Sequence, residues 1–91
     1  MILTRRLRRW KIADCPMLML KVYEKELIAL GIAVAMQCTP CIRLHVKKCF
    51  EAGATNEQIL EAASVSVMMA GGPAYTHVPI VIETLQALEA E

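Results

Sequence analysis

Aromatic side chains are scarce in this 91-residue chain: they make up 4% of the sequence, although 56% of all residues are hydrophobic. The apolar content is therefore mainly Ala, Val, Ile, Leu and Met, a mixture more typical of helices than of β-sandwiches. Stretches of strict apolar–polar alternation, the pattern of half-buried strands, are also missing. We therefore expect a single small all-α domain.

Long hydrophobic runs are absent as well. The longest, from Leu27 to Met36, is about half of the roughly 20 residues that a membrane-spanning helix needs. A core this small is marginal on its own, and the chain has little polar surface to cover it. We therefore expect a helix face to pack against copies of the same chain, forming a homo-oligomer.

The net charge of +1 is unevenly spread along the chain. The first 20 residues contain four arginines and Lys11 against a single acid, Asp14. We interpret residues 1–19 as a solvated basic segment and residues 20–91 as the core domain. A twin-arginine export signal or nucleic-acid contact are the alternatives, but Asp14 and Pro16 make a poor export signal. We expect a cytoplasmic protein that binds neither nucleic acid nor a membrane.

Four segments combine good helix formers with capping or stop signals at their ends. Their expected ranges are about 23–37, 39–52, 55–70 and 73–88, with the last interrupted near Pro79. Thr39 suits the N-cap of the second helix, with Pro40 as its first residue. Thr55 and Gln58 form a T-x-x-Q capping box that starts the third helix. The sequence thus predicts about four to five helices.

The stretch "CTPCIRLH", residues 38–45, places a CxxC pair at the start of the second helix. In this interpretation Cys41 is the second helical residue and Cys38 lies just before the cap. The amide dipoles of the first turn would stabilise a thiolate at Cys41, and His45, one turn later, can reach the same sulfur. Cys41 is therefore a candidate nucleophile, His45 its base and Cys38 a resolving thiol.

These cysteines have three other interpretations. Cys38, Cys41, His45 and Cys49 resemble the ligands of a zinc knuckle, but a continuous helix would place Cys49 roughly 12 Å from Cys41 along its axis. Haem attachment is disfavoured because Ile42 follows the second cysteine of the CxxC pair. Two packed thiols beside a structural histidine are the remaining alternative. Cys49 itself lies on an apolar helix side and is predicted to be a core thiol.

Glu26 is unusual because it shares a helix face with apolar residues such as Leu30 and Ala33. It is either solvated at the edge of that face beside Lys25 or buried with a partner. If it is buried, a histidine such as His45 is a suitable partner.

Four features together resemble the core of the AhpD-like, or carboxymuconolactone decarboxylase-like, family over about residues 20–88. They are the E-L-I-A-L stretch, CxxCxxxH, the A-G-A-T turn with its capping box, and G-G-P-A. The resemblance implies a fold of helical hairpins that assembles as trimers or hexamers. In the alkylhydroperoxidase branch, a glutamate twelve residues before the first cysteine belongs to the site, and Glu26 has this spacing from Cys38.

Resemblance to that branch implies a proton relay and a redox cycle. Glu26 would hold His45, and His45 would deprotonate Cys41, which attacks a peroxide oxygen. The resulting sulfenic acid would condense with Cys38. A thiol or lipoyl-bearing partner, rather than a bound cofactor, would reduce the disulfide. True decarboxylases of the family lack the cysteine pair, so its presence argues against decarboxylation. A helical oligomer with a redox-sensing or structural dithiol is the alternative function.

Overall fold

Five helices and their connecting turns form residues 19–91, the part of the chain that the computed structural model describes. The helices are α1 (Val22–Ala35), α2 (Thr39–Glu51), α3 (Asn56–Ala70), the single turn α4 (Gly72–Tyr75) and α5 (Val78–Glu89). These residues include no strand, so the predicted all-α class is confirmed. The interpretation of residues 1–19 as a basic segment falls almost entirely outside the described residues.

Helix α1 is central to the packing, because it lies along α2 on one side and along α3 on another, while α5 covers α2. The largest fully buried side chains come from all four of the longer helices. They are Leu30, Val34, Ile42, Val46, Cys49, Ile59 and Val81. Burying an aliphatic side chain of this size stabilises the fold by roughly 1.5–3 kcal/mol. Among residues 19–91 no aromatic side chain is fully buried in this core, so mainly aliphatic contacts hold α1 against α2.

The crossing of α1 and α3 is close at Gly31. A Cβ atom at this position would lie 3.4 Å from Ser66 Oγ and 3.6 Å from the carbonyl oxygen of Ala62. The Ser66 hydroxyl donates a hydrogen bond of 2.6 Å to the carbonyl oxygen of Gly31. The absence of a side chain at Gly31 therefore lets a buried serine bridge the two helices.

The turn between α1 and α2 is a Schellman motif. The N–H of Cys38 donates to the carbonyl of Ala33 and the N–H of Gln37 donates to the carbonyl of Val34, each at 3.1 Å. Gln37 has the left-handed conformation that this motif requires, with φ of 57°. The motif ends α1 and delivers the chain directly to Cys38.

The start of α2 differs by one residue from the sequence prediction. Cys38, not Thr39, is the N-cap, and Thr39 and Pro40 are the first two helical residues. The cause is the backbone: Ile42 N–H donates to the carbonyl of Cys38 at 2.9 Å, so the helical ladder begins there. Cys41 is consequently the third residue of the helix.

The later helices begin as the sequence predicts. Thr55 caps α3, and a reciprocal capping box joins the Thr55 and Gln58 side chains to each other's backbone N–H groups at 2.9 and 3.1 Å. Pro79 is the second residue of α5, so the predicted interruption is a new helix start. None of the helices within residues 19–91 has the length and apolarity that a membrane crossing requires.

Candidate active site

Cys38 and Cys41 are joined by a disulfide across the first turn of α2, with Cα atoms 5.2 Å apart. Both residues are partly buried. The Cys41 side chain packs against the buried core, whereas Cys38 occupies the N-cap outside that cluster. Cys38 is therefore the outer sulfur of the pair and Cys41 the inner one.

The helix start provides an environment for an anion at Cys41. The first turn of a helix has backbone N–H groups without a helical acceptor. Here these are the N–H groups of Thr39 and Cys41, because Pro40 has none and the ladder begins with Ile42. The one-residue correction at the N-cap leaves Cys41 within this turn. A thiolate at Cys41 in the reduced protein would be stabilised by these dipoles.

Glu26 and His45 are in direct contact between α1 and α2. Glu26 Oε1 lies 2.9 Å from His45 Nδ1, and the carboxylate accepts a hydrogen bond from that ring nitrogen. Glu26 is only 5% exposed, so of the two environments considered for it, the structure has the buried one. A buried carboxylate needs such a partner, because removing it from water without one is strongly unfavourable.

The contact with Glu26 determines which nitrogen of His45 is available. With its proton on Nδ1, the neutral ring leaves Nε2 as the site that can accept a proton. His45 Nε2 has no hydrogen-bond partner among the described residues, and no buried nitrogen or oxygen there lacks one. The His45 side chain is partly buried, with 21% of its surface exposed.

His45 makes no hydrogen bond to either sulfur in the disulfide state that residues 19–91 display. A disulfide sulfur has no proton to give up, so this state does not call for that contact. Helical side chains lean towards the N-terminus of their helix, which directs His45 back towards Cys41. The pairing of His45 with Cys41 belongs to the reduced protein and stays a prediction.

Cys49, one turn beyond His45, is fully buried, so its prediction as a core thiol is confirmed. The structure adds a neighbour that the sequence analysis missed. Burial, and secondly the negative charge of Glu26, raise the pKa of the Cys49 thiol from 9.0 to about 12. The signal was the four-residue spacing from His45, which puts Cys49 on the side of α2 that faces α1. Cys49 is therefore a neutral thiol beneath the Glu26–His45 pair.

We expect Cys49 to resist alkylation in the folded protein and to react once the chain unfolds. Only thiolates are alkylated efficiently, and at about pH 8 both burial and the raised pKa keep this thiol protonated. Peptide mapping of the reduced protein after iodoacetamide treatment, with and without denaturant, measures the difference. Modification of Cys49 at the same rate with and without denaturant would contradict a buried, protonated thiol.

The same shift in pKa predicts how stability depends on pH. Between about 9 and about 12 the folded protein keeps the Cys49 proton while the unfolded chain loses it. The free energy of unfolding should therefore fall as the pH rises through this range. The fall should be smaller in Cys49→Ala, and identical slopes for both proteins would contradict the shift.

A metal site is not assembled in the part of the chain described here. No three His, Cys, Asp or Glu side chains within it are placed so that they could hold an ion. Of the four ligands considered for a zinc knuckle, Cys38 and Cys41 are bonded to each other and Cys49 is buried.

The carboxymuconolactone decarboxylase family model matches residues 20–83. An uncharacterized protein of the cox locus of Paracoccus denitrificans is 43% identical over 65 residues, which are 71% of this chain and 59% of the relative. An uncharacterized protein of Cupriavidus necator is 33% identical over 66 residues, 72% of this chain and 58% of the relative. The chain thus spans less than two thirds of the length of both relatives.

Solved structures with the same fold extend the comparison. A carboxymuconolactone decarboxylase family protein from Thermotoga maritima, named in connection with an antioxidative response, superposes with a TM-score of 0.85 at 28% identity. The superposition covers 99% of this chain and 93% of that protein. A family protein from Legionella pneumophila, in its apo form, gives a TM-score of 0.81 at 31% identity, covering 94% and 77% of the two chains.

Proposed function

The chain belongs to the carboxymuconolactone decarboxylase family, and we propose that it is a thiol-dependent oxidoreductase that reduces a hydroperoxide. The observation that carries this proposal is a pair of cysteines bonded across a helix start, beside a histidine held by a buried carboxylate. The connection of the Thermotoga maritima protein with an antioxidative response supports the same chemistry. The Cys38–Cys41 pair serves as the redox centre, with no bound cofactor.

In the oxidative half of the proposed cycle, His45 Nε2 takes the proton of the Cys41 thiol. The Cys41 thiolate attacks one peroxide oxygen, the O–O bond breaks, and the departing alkoxide takes a proton from the imidazolium. Cys41 is now a sulfenic acid. The Cys38 thiol attacks its sulfur, water leaves, and the disulfide forms. One hydroperoxide and two thiols are thereby converted to an alcohol, water and a disulfide.

In the reductive half, a dithiol donor returns two electrons. Its thiolate attacks the outer sulfur, Cys38, and Cys41 leaves as a thiolate. This direction is favoured because a leaving thiolate at Cys41 is stabilised by the first turn of α2. The second thiol of the donor then displaces Cys38, and the donor leaves as a disulfide. Cys41 and Cys38 are both reduced for the next peroxide.

Steady-state consumption of cumene hydroperoxide, with dihydrolipoamide or a reduced thioredoxin-type protein in excess, tests the proposal. We expect many equivalents of peroxide to be consumed for each protein chain. Consumption that stops after one equivalent with every dithiol donor would reject the peroxidase. That result would assign the dithiol to a sensing role instead.

We expect Glu26→Gln to lower kcat/KM for the peroxide by at least about tenfold. The amide keeps the shape of the side chain but cannot stabilise the imidazolium that forms when His45 takes the proton. Glu61→Gln is the matched control, because Glu61 is exposed on α3 and lies outside the site. Equal kcat/KM for Glu26→Gln and the wild-type protein would remove Glu26 from the relay.

We further propose that the chain assembles with copies of itself through an apolar groove between α1 and α3. The groove has a volume of about 430 Å³. Its lining is Leu27, Ile28, Gly31, Ile32, Ala35, Ala62, Val65, Ser66 and Met69. Ile32 and Val65 are about half exposed and Met69 is 84% exposed. So much open apolar surface on a small domain is typical of a subunit interface.

We expect Ile32→Glu to convert the oligomer to monomers, because a carboxylate in the groove would have to be buried without a partner. Light scattering coupled to size-exclusion chromatography gives the mass of each variant. Ile82→Glu is the matched control, since Ile82 is also partly exposed but lies on α5, outside the groove. A monomeric wild-type protein, or an unchanged mass for Ile32→Glu, would contradict this interface.

A further inference from the structure

Gln37, immediately before Cys38, has a backbone conformation that its residue type does not favour. Its φ of 57° lies in the left-handed region. A side chain there crowds the following carbonyl oxygen, and the position is usually glycine or, less often, asparagine. Non-glycine residues held in this region cluster at functional sites.

The chain itself provides the comparison for Gln37. Two other described residues have a positive φ, Gly53 at 95° and Gly71 at 73°, and both are glycine. Each of these positions ends a helix, as Gln37 does. Gly53 is the comparable position, because a Schellman pair of hydrogen bonds closes the helix there as well, whereas Gly71 has a ψ of −148° that only glycine adopts readily. The chain therefore has glycine at the comparable helix end away from the disulfide and glutamine at the one beside it.

The Gln37 side chain makes no stabilising contact that the described residues show. It is exposed, and its amide makes no hydrogen bond to a described residue. Within residues 19–91, neither packing nor a side-chain hydrogen bond explains why this position is glutamine. The amide can donate and accept hydrogen bonds at the same time, which suits a polar, uncharged group on an incoming molecule.

We propose that Gln37 is a donor-binding residue, whose amide hydrogen-bonds the dithiol donor as it attacks Cys38. The donor class that fits is a dithiol that also carries an amide, as in a lipoyl amide or a peptide. The inference rests on the proposed redox use of the Cys38–Cys41 disulfide. It does not depend on the oxidant, because the reductive half-reaction can be measured alone.

The test uses the full chain and follows the two half-reactions separately. The oxidised protein is mixed with dihydrolipoamide, and the appearance of the Cys38 and Cys41 thiols is followed by quenching and alkylation. The reduced protein is mixed with cumene hydroperoxide, and the loss of the same thiols is followed. Thermal unfolding of each oxidised variant measures how the substitution at position 37 changes Tm.

We expect Gln37→Gly to raise Tm by a few degrees, because glycine adopts the left-handed conformation without strain. The same variant should slow reduction by dihydrolipoamide roughly three- to tenfold, the effect of one lost hydrogen bond, and leave oxidation by peroxide unchanged. Gln37→Ala should slow reduction equally without the rise in Tm. Gln86→Ala, at an exposed glutamine on α5, is the control that should change neither rate.

Unchanged reduction rates in Gln37→Gly and Gln37→Ala would overturn the inference and leave Gln37 as a helix end only. Equal slowing of both half-reactions would also overturn it, because the effect would then be on the placement of Cys38. If reduction depends on Gln37 while peroxide turnover is absent, the inference stands and the peroxidase proposal fails. The two conclusions are therefore tested independently.

Discussion

Cys41→Ser is expected to abolish peroxide consumption, with kcat/KM lower by at least about a thousandfold. Serine replaces a thiol that can form a thiolate near neutral pH with a hydroxyl that cannot. The first-turn amides of α2 and the nearby His45 then have no nucleophile to act on. Cys38 is not expected to take over, because His45 lies one helical turn after Cys41 but two turns after Cys38. Peroxide consumption with saturating dithiol donor measures the loss.

Two further cysteine variants separate this expectation from a general effect of losing a thiol. Cys49→Ala removes the buried thiol and should still turn over peroxide, since Cys49 is protonated and inaccessible. Without a dithiol donor, Cys38→Ser should consume one equivalent of peroxide and stop with Cys41 as a sulfenic acid, because no resolving thiol is present to form the disulfide. If Cys41→Ser still turns over peroxide, or if Cys49→Ala is the one variant that loses turnover, Cys41 is not the nucleophile.

His45→Ala is expected to have the second largest effect, a loss of roughly 100- to 10,000-fold in kcat/KM near neutral pH. The variant has no group that takes the proton of Cys41 or returns it to the departing alkoxide. It also leaves the buried Glu26 carboxylate without its partner at 2.9 Å. Stability should therefore fall along with the rate, because an unpaired buried charge is unfavourable.

The pH dependence separates the role of His45 as a base from its role in stability. As the pH rises, hydroxide removes the thiol proton without help, so the deficit of His45→Ala should shrink. A purely structural defect would give the same ratio of rates at every pH. His77→Ala is the control, because His77 lies at the start of α5 and its ring contacts the carbonyl of Pro73 at 2.9 Å. A constant ratio, or an equal deficit in His77→Ala, would contradict the assignment.

The order and ends of the helices could be predicted from sequence because their signals are local. The Thr55 and Gln58 capping box and the proline at the start of α5 act through neighbouring backbone groups. At α2 the local signal was wrong by one residue. Thr39 looks like an N-cap, but the Schellman motif that closes α1 uses the N–H of Cys38. The carbonyl of Cys38 then accepts the first hydrogen bond of α2. That outcome depends on two helix ends meeting, which a capping pattern does not contain.

The site required information from more than one helix. Glu26 and His45 are 19 residues apart, and the sequence alone left Glu26 either solvated or buried. Only the packing of α1 on α2 decides between these environments, and the sequence could offer His45 as a partner only if Glu26 is buried. The proximity of Cys49 to Glu26 was missed for the same reason. The left-handed conformation of Gln37 was missed because that conformation is typical of glycine and asparagine, not of glutamine.

The surroundings of the methionines are another feature that the sequence alone could not predict. Met68 and Met69 are apolar side chains of α3, yet in the protomer they are more than 80% exposed. The sequence shows that such side chains avoid water, but not whether the same chain or another copy covers them. Met69 lines the groove between α1 and α3, which we propose that another copy of the chain covers.

The reaction of the fully reduced protein with one equivalent of an organic hydroperoxide tests the central claim most directly. Thiol counting and peptide mapping should show that two thiols are lost as a single Cys38–Cys41 disulfide, with Cys49 still reduced. One equivalent of the corresponding alcohol should appear at the same rate. A Cys38–Cys41 pair that is still reduced after the peroxide has been added would contradict the account.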